Sequence, residues 1–335
     1  MRYLDLFTGI AGISRCMQAC SNVKCAAYVE IHPPAQRVIL SHISDRTLQE
    51  APVLSDVCIV KAKDVGPVNM ICGGFPCQDI SAAGAQRGLQ GTRSRLVFEM
   101  IRLLRETGAK WFFAENVAHF RTNGFEQVKE ELEKLGYAVR HVVLAANECG
   151  MRHRRRRMFV LARKKNSSAD ALSAKTPNAM KITREEPSSR IVSSKEHNWF
   201  DRIHGLGNAC SPVQCNTALR MLLGNPEPGT DWDTAWNTDR IVSIPAGPVC
   251  PVSCPTPIAS DAKGGAGPNR RNSRGMCTSF SLSRWVRVRH RRAEWGLSCT
   301  EEEYANRRVR GAYLCPEWTE WLMGFPEKWT HVQTD

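Results

Sequence analysis

Short apolar segments that alternate with amphipathic segments dominate the first half of the chain and restrict its fold more than any other feature. The predicted strands cover 3–7, 24–30, 67–72, 111–115, 137–146 and 157–162, and the predicted helices cover 10–20, a segment opened by Pro33, 93–104 and 125–135. Continuous apolar strands are typical of parallel sheets covered by helices on both faces. The pattern therefore predicts an α/β fold with a doubly wound, mostly parallel sheet, and such sheets bind ligands beyond the carboxyl ends of their strands.

The alternation of predicted strands and helices ends at residue 163, so we expect more than one domain. The predicted segments are 1–163 for the α/β domain, 164–201 for a linker or surface arm, 202–223 for a Gly-Asn motif and helix that return to the first domain, and 224–330 for a second, smaller domain. In the third segment, a Gly-Asn loop precedes a helix that Ser211 caps and Pro212 opens. The fourth segment is rich in Pro, Gly and Trp.

Positive charge is concentrated in two stretches of the chain. The sequence has 46 Lys and Arg against 33 Asp and Glu, a formal net charge of +13. Residues 151–165 contain eight of these basic residues, residues 263–292 contain nine, and neither stretch contains an acid. Local basic patches indicate a polyanionic partner such as nucleic acid, although a solvated basic face is the alternative.

The 14 cysteines do not predict disulfides or a metal site. The N-terminal sequence MRYLDLFTGI lacks the pattern of a secretory signal, which favours a cytoplasmic protein. The cysteines form no CxxC pair and are not followed by HxxxH, so structural zinc is not expected. No apolar stretch is long enough to cross a bilayer, and we expect no membrane partner.

A glycine-containing loop and two acids indicate a nucleotide-like cofactor. Asp5–Gly12 lies at the end of the first predicted strand, and its glycines allow the backbone to approach a ligand at the start of the next helix. Glu30 ends the second strand, where a carboxylate can hold ribose hydroxyls. Asp56, before the third strand region, is placed to accept from an exocyclic amine. An adenosine-bearing cofactor is the functional interpretation, and an ordinary turn with surface acids is the alternative. Without a full GxGxxG, NAD(P) is disfavoured, whereas a sulfonium cofactor needs no pyrophosphate cradle.

Three further motifs follow predicted strands of the same sheet. Cys77 lies in GGFPCQDIS, where flanking Gly and Pro present a thiol beyond the strand end, as a nucleophile requires. Glu115, in ENV, could supply a proton or a hydrogen bond to a ring nitrogen. In RHRRRRMF, alternation along the strand would place Arg155 and Arg157 on one face.

These motifs resemble those of the cytosine C5 DNA methyltransferases of bacterial or phage type. DLFTGIAG, GGFPCQDIS, ENV and RHRRRRMF occur in the family's order, GLGNA at 205–209 is similar to its last motif, and CPEWTEWLMGFPEKWT at 315–330 is similar to the end of its target-recognition region. The sequence departs from the family pattern at Ala11, where glycine is more usual. It departs again at Arg152 and His153, where the family commonly has Pro and Gln.

The resemblance implies a Rossmann-like fold that binds S-adenosylmethionine, a target-recognition domain, and methylation of cytosine flipped out of double-stranded DNA. In the implied mechanism Cys77 attacks C6, Glu115 engages N3 and the exocyclic amine, and Arg155 binds O2, with Arg157 also in the catalytic set. The expected cofactor contacts are Phe7, Gly9, Ile10, Gly12, Glu30, Ile31, Asp56, Val57, Gly74, Pro76, Leu96, Asn208 and Ala209. The expected DNA contacts are Gln78, Ser81, Arg93, Arg270, Arg271, Arg287 and Arg289.

Other functions are compatible with parts of this pattern. An NAD-dependent dehydrogenase would share the sheet but gives Cys77 and Glu115 no joint role. An RNA cytosine methyltransferase, or an inactive DNA-binding homologue, would keep much of the pattern. We expect a monomer, with a cognate restriction endonuclease as a possible partner.

Overall fold

The computed structural model covers the α/β half of the chain and the segments that pack on it. The described residues are 1–20, 22–76, 96–167, 177–192, 195, 198–224 and 313–332. Most of the predicted second domain, residues 225–312, lies outside them.

One seven-stranded sheet organises the described residues. Its strands are β1 (Arg2–Leu6), β2 (Lys24–Val29), β3 (Val53–Leu54), β4 (Met70–Gly74), β5 (Trp111–Val117), β6 (Tyr137–Ala145) and β7 (Arg156–Lys164). The order across the sheet is β3-β2-β1-β4-β5-β7-β6. The first five strands pair in parallel, and β7 runs antiparallel to both β5 and β6. The predicted fold class is confirmed.

Helices cover both faces of this sheet. They are α1 (Gly12–Met17), α2 (Pro33–Ser44), α3 (Ala62–Val65), α4 (Val97–Thr107), α5 (Phe125–Lys134), α6 (Trp199–Asn208), α7 (Pro212–Leu223) and α8 (Pro316–Leu322). Pro33 occupies the first turn of α2, where its missing N–H costs nothing. Gly108 ends α4 in the left-handed conformation that glycine adopts without strain. Within the described ranges, no helix is long and apolar enough to span a membrane.

The core forms two layers because successive strand residues point to opposite faces. Tyr3 and Phe113 belong to the layer under α1, α2 and α7. Leu4 and Phe112, their neighbours in sequence, belong to the layer under α4 and α5. The strands are therefore buried on both sides, which explains their continuous apolar sequence.

Helix α6 differs from the prediction for this region. It begins at Trp199, within the predicted linker, and it includes the glycines that were expected to form a Gly-Asn loop. A Cβ added to Gly205 would lie 3.1 Å from the Ile10 side chain, so the glycine allows close packing of α6 on the first loop. Tertiary packing thus outweighs the low helix propensity of glycine. The predicted cap is present, because the Ser211 hydroxyl accepts from the Gln214 N–H at 3.4 Å.

Residues 313–332, which the sequence assigned to the second domain, pack on the segments around the sheet and contact Ile10 and His42 of the α/β half. Strand β8 (Ile191–Val192) pairs antiparallel with β9 (Tyr313–Leu314), so the predicted linker also contributes a strand. Arg202 of α6 is buried and forms ion pairs with Glu317 at 2.5 Å and with Glu320 at 3.3 Å. This C-terminal segment therefore belongs to the same packed unit as the sheet.

Candidate active site

A cavity of about 530 Å³ opens at the sheet edge where β1, β2, β4 and β5 end and β7 begins. Every predicted cofactor contact except Gly12 lines it. These residues are Phe7, Gly9, Ile10, Glu30, Ile31, Asp56, Val57, Gly74, Pro76, Leu96, Asn208 and Ala209. Glu115 and Arg157 line the same cavity. The volume is in the range of pockets that bind small molecules and cofactors.

The loop between β1 and α1 has an unusual backbone. Phe7, Gly9 and Ala11 have positive φ angles of 54°, 56° and 64°. This conformation is uncommon for residues other than glycine, and two of the three carry side chains. Such strain persists only where the surroundings enforce it, and it is concentrated at functional sites. Ala11, where the family more often has glycine, is accommodated in this strained conformation.

Glu30 connects this loop to the second strand. Its Oε2 accepts from the Gly9 N–H and its Oε1 accepts from the His32 N–H, both at 2.7 Å. A carboxylate has about four acceptor positions, so two remain for a ligand in the cavity. The neighbouring Ile31 is 69% exposed and supplies an apolar surface on the cavity wall. A ribose with hydroxyl donors and a flat apolar base fit this pair.

Asp56 precedes β4, the strand predicted at 67–72, and it also follows a short strand that was not predicted. The two-residue β3 precedes it, and its carboxylate accepts from the Cys58 N–H at 2.9 Å. That hydrogen bond forms a turn that carries the side chain to the cavity wall.

Gly12 was predicted to contact the cofactor, but it is not part of the cavity wall, and that role stays a prediction. A Cβ added there would lie 1.9 Å from the carbonyl oxygen of Cys210, so only glycine allows the chain after α6 to dock on α1. Asn208 also differs from expectation: it ends α6, three residues before the cap of α7. Its role would therefore not use the helix N-terminus that the sequence indicated.

Glu115 and Arg157 form the polar centre of the cavity. The Arg157 Nε lies 2.8 Å from the Glu115 Oε1, and both side chains are largely buried. Glu115 is opposite Gly74 in the sheet register, and a Cβ added to Gly74 would lie 3.0 Å from the Glu115 Oε2. The absence of a side chain at Gly74 thus leaves room for the carboxylate. The antiparallel β7 brings Arg157 to the same sheet edge.

Arg155 does not reach this centre. It is 2% exposed, and its guanidinium donates to the carbonyls of Gly207 and Ala209. It holds the end of α6 against the start of β7 and is not part of the cavity wall. Of the two predicted arginines, Arg157 is therefore the one that reaches Glu115 in the cavity.

Sequence reasoning gave no role to Asn116, His32 or His204, which also line the cavity. The Asn116 amide is buried and donates to the Phe75 carbonyl at 3.1 Å, which fixes the backbone two residues before Cys77. The ENV motif was the signal for this residue. The His32 and His204 rings lie 5.7 Å apart, and the helical spacing of His204 to Asn208 could have indicated it.

Several predicted site residues cannot be placed. Cys77, the predicted nucleophile, lies outside the described residues, although Pro76 before it lines the cavity. The predicted DNA contacts also lie outside them: Gln78, Ser81, Arg93, Arg270, Arg271, Arg287 and Arg289. Their roles stay predictions. Among the described residues, no cluster of three or more metal-ligating side chains occurs.

The two departures from the family pattern before β7 are both accommodated. His153 is buried: its Nδ1 accepts from the Arg155 N–H at 3.4 Å, and its Nε2 lies 3.1 Å from the Leu322 carbonyl, to which it can donate. Arg152 pairs with Glu186 at 2.8 Å. The arginine strand is thereby attached to the C-terminal segment.

Because His153 is buried, we expect the free energy of unfolding to depend on pH through this residue. Burial lowers its pKa to about 3, helped by the nearby Arg155 charge, whereas the unfolded chain keeps an ordinary histidine pKa of about 6.5. As the pH falls below about 6.5, the unfolded state binds this proton first and the folded state loses stability. Between about pH 7.5 and pH 5 this group removes about 2 kcal/mol of the free energy of unfolding.

His153→Gln should remove that dependence and keep both hydrogen bonds, because an amide can donate and accept. Urea unfolding at the two pH values would measure it. Asp5, whose pKa burial raises to about 7, contributes with the opposite sign but equally in both proteins, so it cancels in the difference. Equal pH dependence of the wild type and the variant would show that His153 is not the titrating group.

Fold and cavity together define a doubly wound α/β domain with a cofactor-sized cavity at the carboxyl ends of its parallel strands, as the sequence predicted. More narrowly, the chain belongs to the C-5 cytosine-specific DNA methylase family, whose model matches residues 1–335.

Curated relatives agree with this assignment. The Type II methyltransferase M.CviJI of Paramecium bursaria Chlorella virus IL3A is 30% identical over 242 residues, which cover 71% of this chain and 62% of that protein. The Type II methyltransferase M.HhaI of Haemophilus parahaemolyticus is 31% identical over 165 residues, 48% of each protein. The chain thus spans about half to three fifths of the length of these relatives. The solved Dnmt2 methyltransferase of S. pombe aligns with 51% of this chain and 53% of its own, at 20% identity and a TM-score of 0.42.

Proposed function

We propose that this protein is a DNA (cytosine-5-)-methyltransferase that uses S-adenosylmethionine. The observation that carries the proposal is the Glu115–Arg157 pair, 2.8 Å apart, in the same cavity as Glu30. A base-binding carboxylate and a cofactor-binding carboxylate then line one cavity. Pro76 lies on that cavity wall, and the next residue in the chain is Cys77.

The cavity wall fits S-adenosylmethionine. Glu30 has acceptor positions left for ribose hydroxyls, Ile31 and Phe7 offer apolar surface to adenine, and Asp56 can accept from the adenine amine. The first loop provides no phosphate-binding glycine pattern, and this cofactor has no phosphate. When bound, it supplies an electrophilic methyl group.

Cys77 makes the cytosine ring reactive at C5. Its thiolate forms a bond to C6, and the ring electrons move to make C5 nucleophilic. C5 then takes the methyl group, and a base removes the C5 proton. The returning electron pair restores the double bond and breaks the bond between C6 and sulfur, which frees Cys77.

Glu115 and Arg157 hold the base during these steps. The Glu115 carboxyl supplies a proton or a hydrogen bond to N3 and accepts from the exocyclic amine, which stabilises the negative charge that moves into the ring. Arg157 donates to O2 and remains paired with Glu115. Asn116 is a positioning residue, since its amide donates to the carbonyl of Phe75, two residues before Cys77.

Double-stranded DNA is the proposed substrate. Cytosine C6 is not reachable inside a stacked helix, so the base must be flipped into the cavity. Phosphate contacts by Lys and Arg would offset the cost of flipping. The predicted contacts in 77–95 and the basic stretch 263–292 supply them in this proposal.

The biological setting is also part of the proposal. The two relatives described above are named Type II methyltransferases, which supports a role in a restriction-modification system with a cognate endonuclease. We propose a monomer that acts on DNA in the cytoplasm.

Transfer of tritium from methyl-labelled S-adenosylmethionine tests this function. The wild type should label unmethylated double-stranded genomic DNA, and digestion to nucleosides should recover the label as 5-methyldeoxycytidine. Recovery of label in RNA instead of DNA would overturn the DNA assignment. Confirmed cofactor binding with no label in either polymer would overturn the enzyme assignment.

A further inference from the structure

The C-terminal segment reaches the loop that forms part of the cofactor cavity. The Trp329 Nε1–H donates to the carbonyl oxygen of Ile10 at 2.7 Å, across 319 positions of sequence. Ile10 lines the cavity, whereas Trp329 is not part of its wall. Trp329 thus acts on the loop from behind the ligand-facing side.

Trp329 is itself fixed by two helices. Its ring stacks on His42 of α2 with centroids 3.7 Å apart, and the Arg15 guanidinium of α1 lies 5.2 Å from the ring centroid. The His42 Nε2 lies 2.7 Å from the Trp329 carbonyl oxygen, and the indole is 1% exposed. The ring is thus packed against both helices, so its N–H is held at a defined position beside the Ile10 carbonyl.

The loop needs such an external support. Three of its residues, Phe7, Gly9 and Ala11, have positive φ angles, a conformation that the sequence alone does not favour at Phe7 and Ala11. The Gly9 N–H is tied to Glu30 on the ligand side. The bond from Trp329, which is not part of the cavity wall, ties the next residue, Ile10.

We propose that Trp329 is a positioning residue for cofactor binding, which holds the β1–α1 loop in its binding conformation through the Ile10 carbonyl. The inference rests on the proposed function of the cavity. It gives the segment after residues 225–312 a role in the cofactor site in addition to any role in DNA recognition.

Trp329→Phe tests this proposal, because it removes the donor and keeps an aromatic ring. Binding of S-adenosylhomocysteine to the purified full chain, measured by isothermal titration calorimetry, should weaken about fivefold to tenfold, the effect expected for one lost hydrogen bond. The KM for S-adenosylmethionine should rise by a similar factor, while the KM for DNA and kcat at saturating cofactor stay within about twofold.

Trp199→Phe is the matched control. Trp199 is also 1% exposed and donates from its Nε1 to a backbone carbonyl, that of Leu314, at 2.7 Å, but this bond lies away from the first loop. Both variants should lose similar thermal stability, and only Trp329→Phe should lose cofactor affinity.

The outcomes separate the two proposals. Wild-type affinity in folded Trp329→Phe, or an equal loss in both variants, would overturn the positioning role. Failure of the wild-type protein to bind S-adenosylhomocysteine would overturn the proposed function instead.

Discussion

Cys77→Ser is expected to lower methyl transfer at least about 10³-fold, because a hydroxyl is a far weaker nucleophile than a thiolate and the covalent route cannot be replaced. Binding of double-stranded DNA and of S-adenosylhomocysteine should stay within about threefold of wild type. Turnover measured by tritium transfer and DNA binding measured by fluorescence anisotropy would together show this separation.

Cys58→Ser provides the comparison. Cys58 is an exposed free cysteine on the same cavity wall, so it is the described thiol best placed to be mistaken for the nucleophile. The variant should still form a covalent complex with DNA. Turnover of Cys77→Ser near the wild-type rate, or loss of the covalent complex in Cys58→Ser, would contradict the assignment of Cys77.

Glu115→Gln is expected to lower kcat by about 10²-fold to 10⁴-fold, the range for loss of a general acid or base. The amide keeps the shape and an acceptor for Arg157, but it has no carboxyl proton to give to N3. Affinity for S-adenosylhomocysteine should stay within about twofold, because the proposed contacts to this ligand are made by Glu30 and Ile31 and not by Glu115. Single-turnover kinetics with saturating cofactor would measure the chemical step.

Glu99→Gln is the control for losing a glutamate from an ion pair. Glu99 pairs with Arg102 on α4 at 2.6 Å and is not part of the cavity wall. The kcat of the Glu99→Gln variant should match that of the wild type. A Glu115→Gln variant with wild-type kcat would remove Glu115 from the mechanism, and an equal loss in Glu99→Gln would show a general effect on folding.

The α/β half was predictable because its signals are local. Buried parallel strands have continuous apolar sequences, and Pro33 and Gly136 mark a helix start and a helix stop in the sequence itself. Residues that follow the carboxyl ends of the parallel strands in such a sheet lie beside one crevice. Glu30 and Glu115 could therefore be placed together from the sequence alone.

What the sequence could not show depends on contacts between distant segments. Alternation placed Arg155 and Arg157 on one face, but only the structure shows that Arg157, which is opposite Val117 in the register of β7 on β5, reaches diagonally to Glu115. Gly205 was expected in a loop because its helix propensity is low, and packing on Ile10 reverses that preference. The bond from Trp329 to Ile10 has no local signal at all.

Covalent trapping would show whether Cys77 forms a bond to C6 of a flipped cytosine. In DNA built with 5-fluorocytosine, the methylated intermediate has no C5 proton to lose, so the bond between sulfur and C6 cannot break. Incubation of the wild-type protein with such DNA and S-adenosylmethionine should give a stable adduct, and peptide mass spectrometry should locate it at Cys77. An adduct at another cysteine, or no adduct under conditions in which ordinary DNA is methylated, would contradict the mechanism.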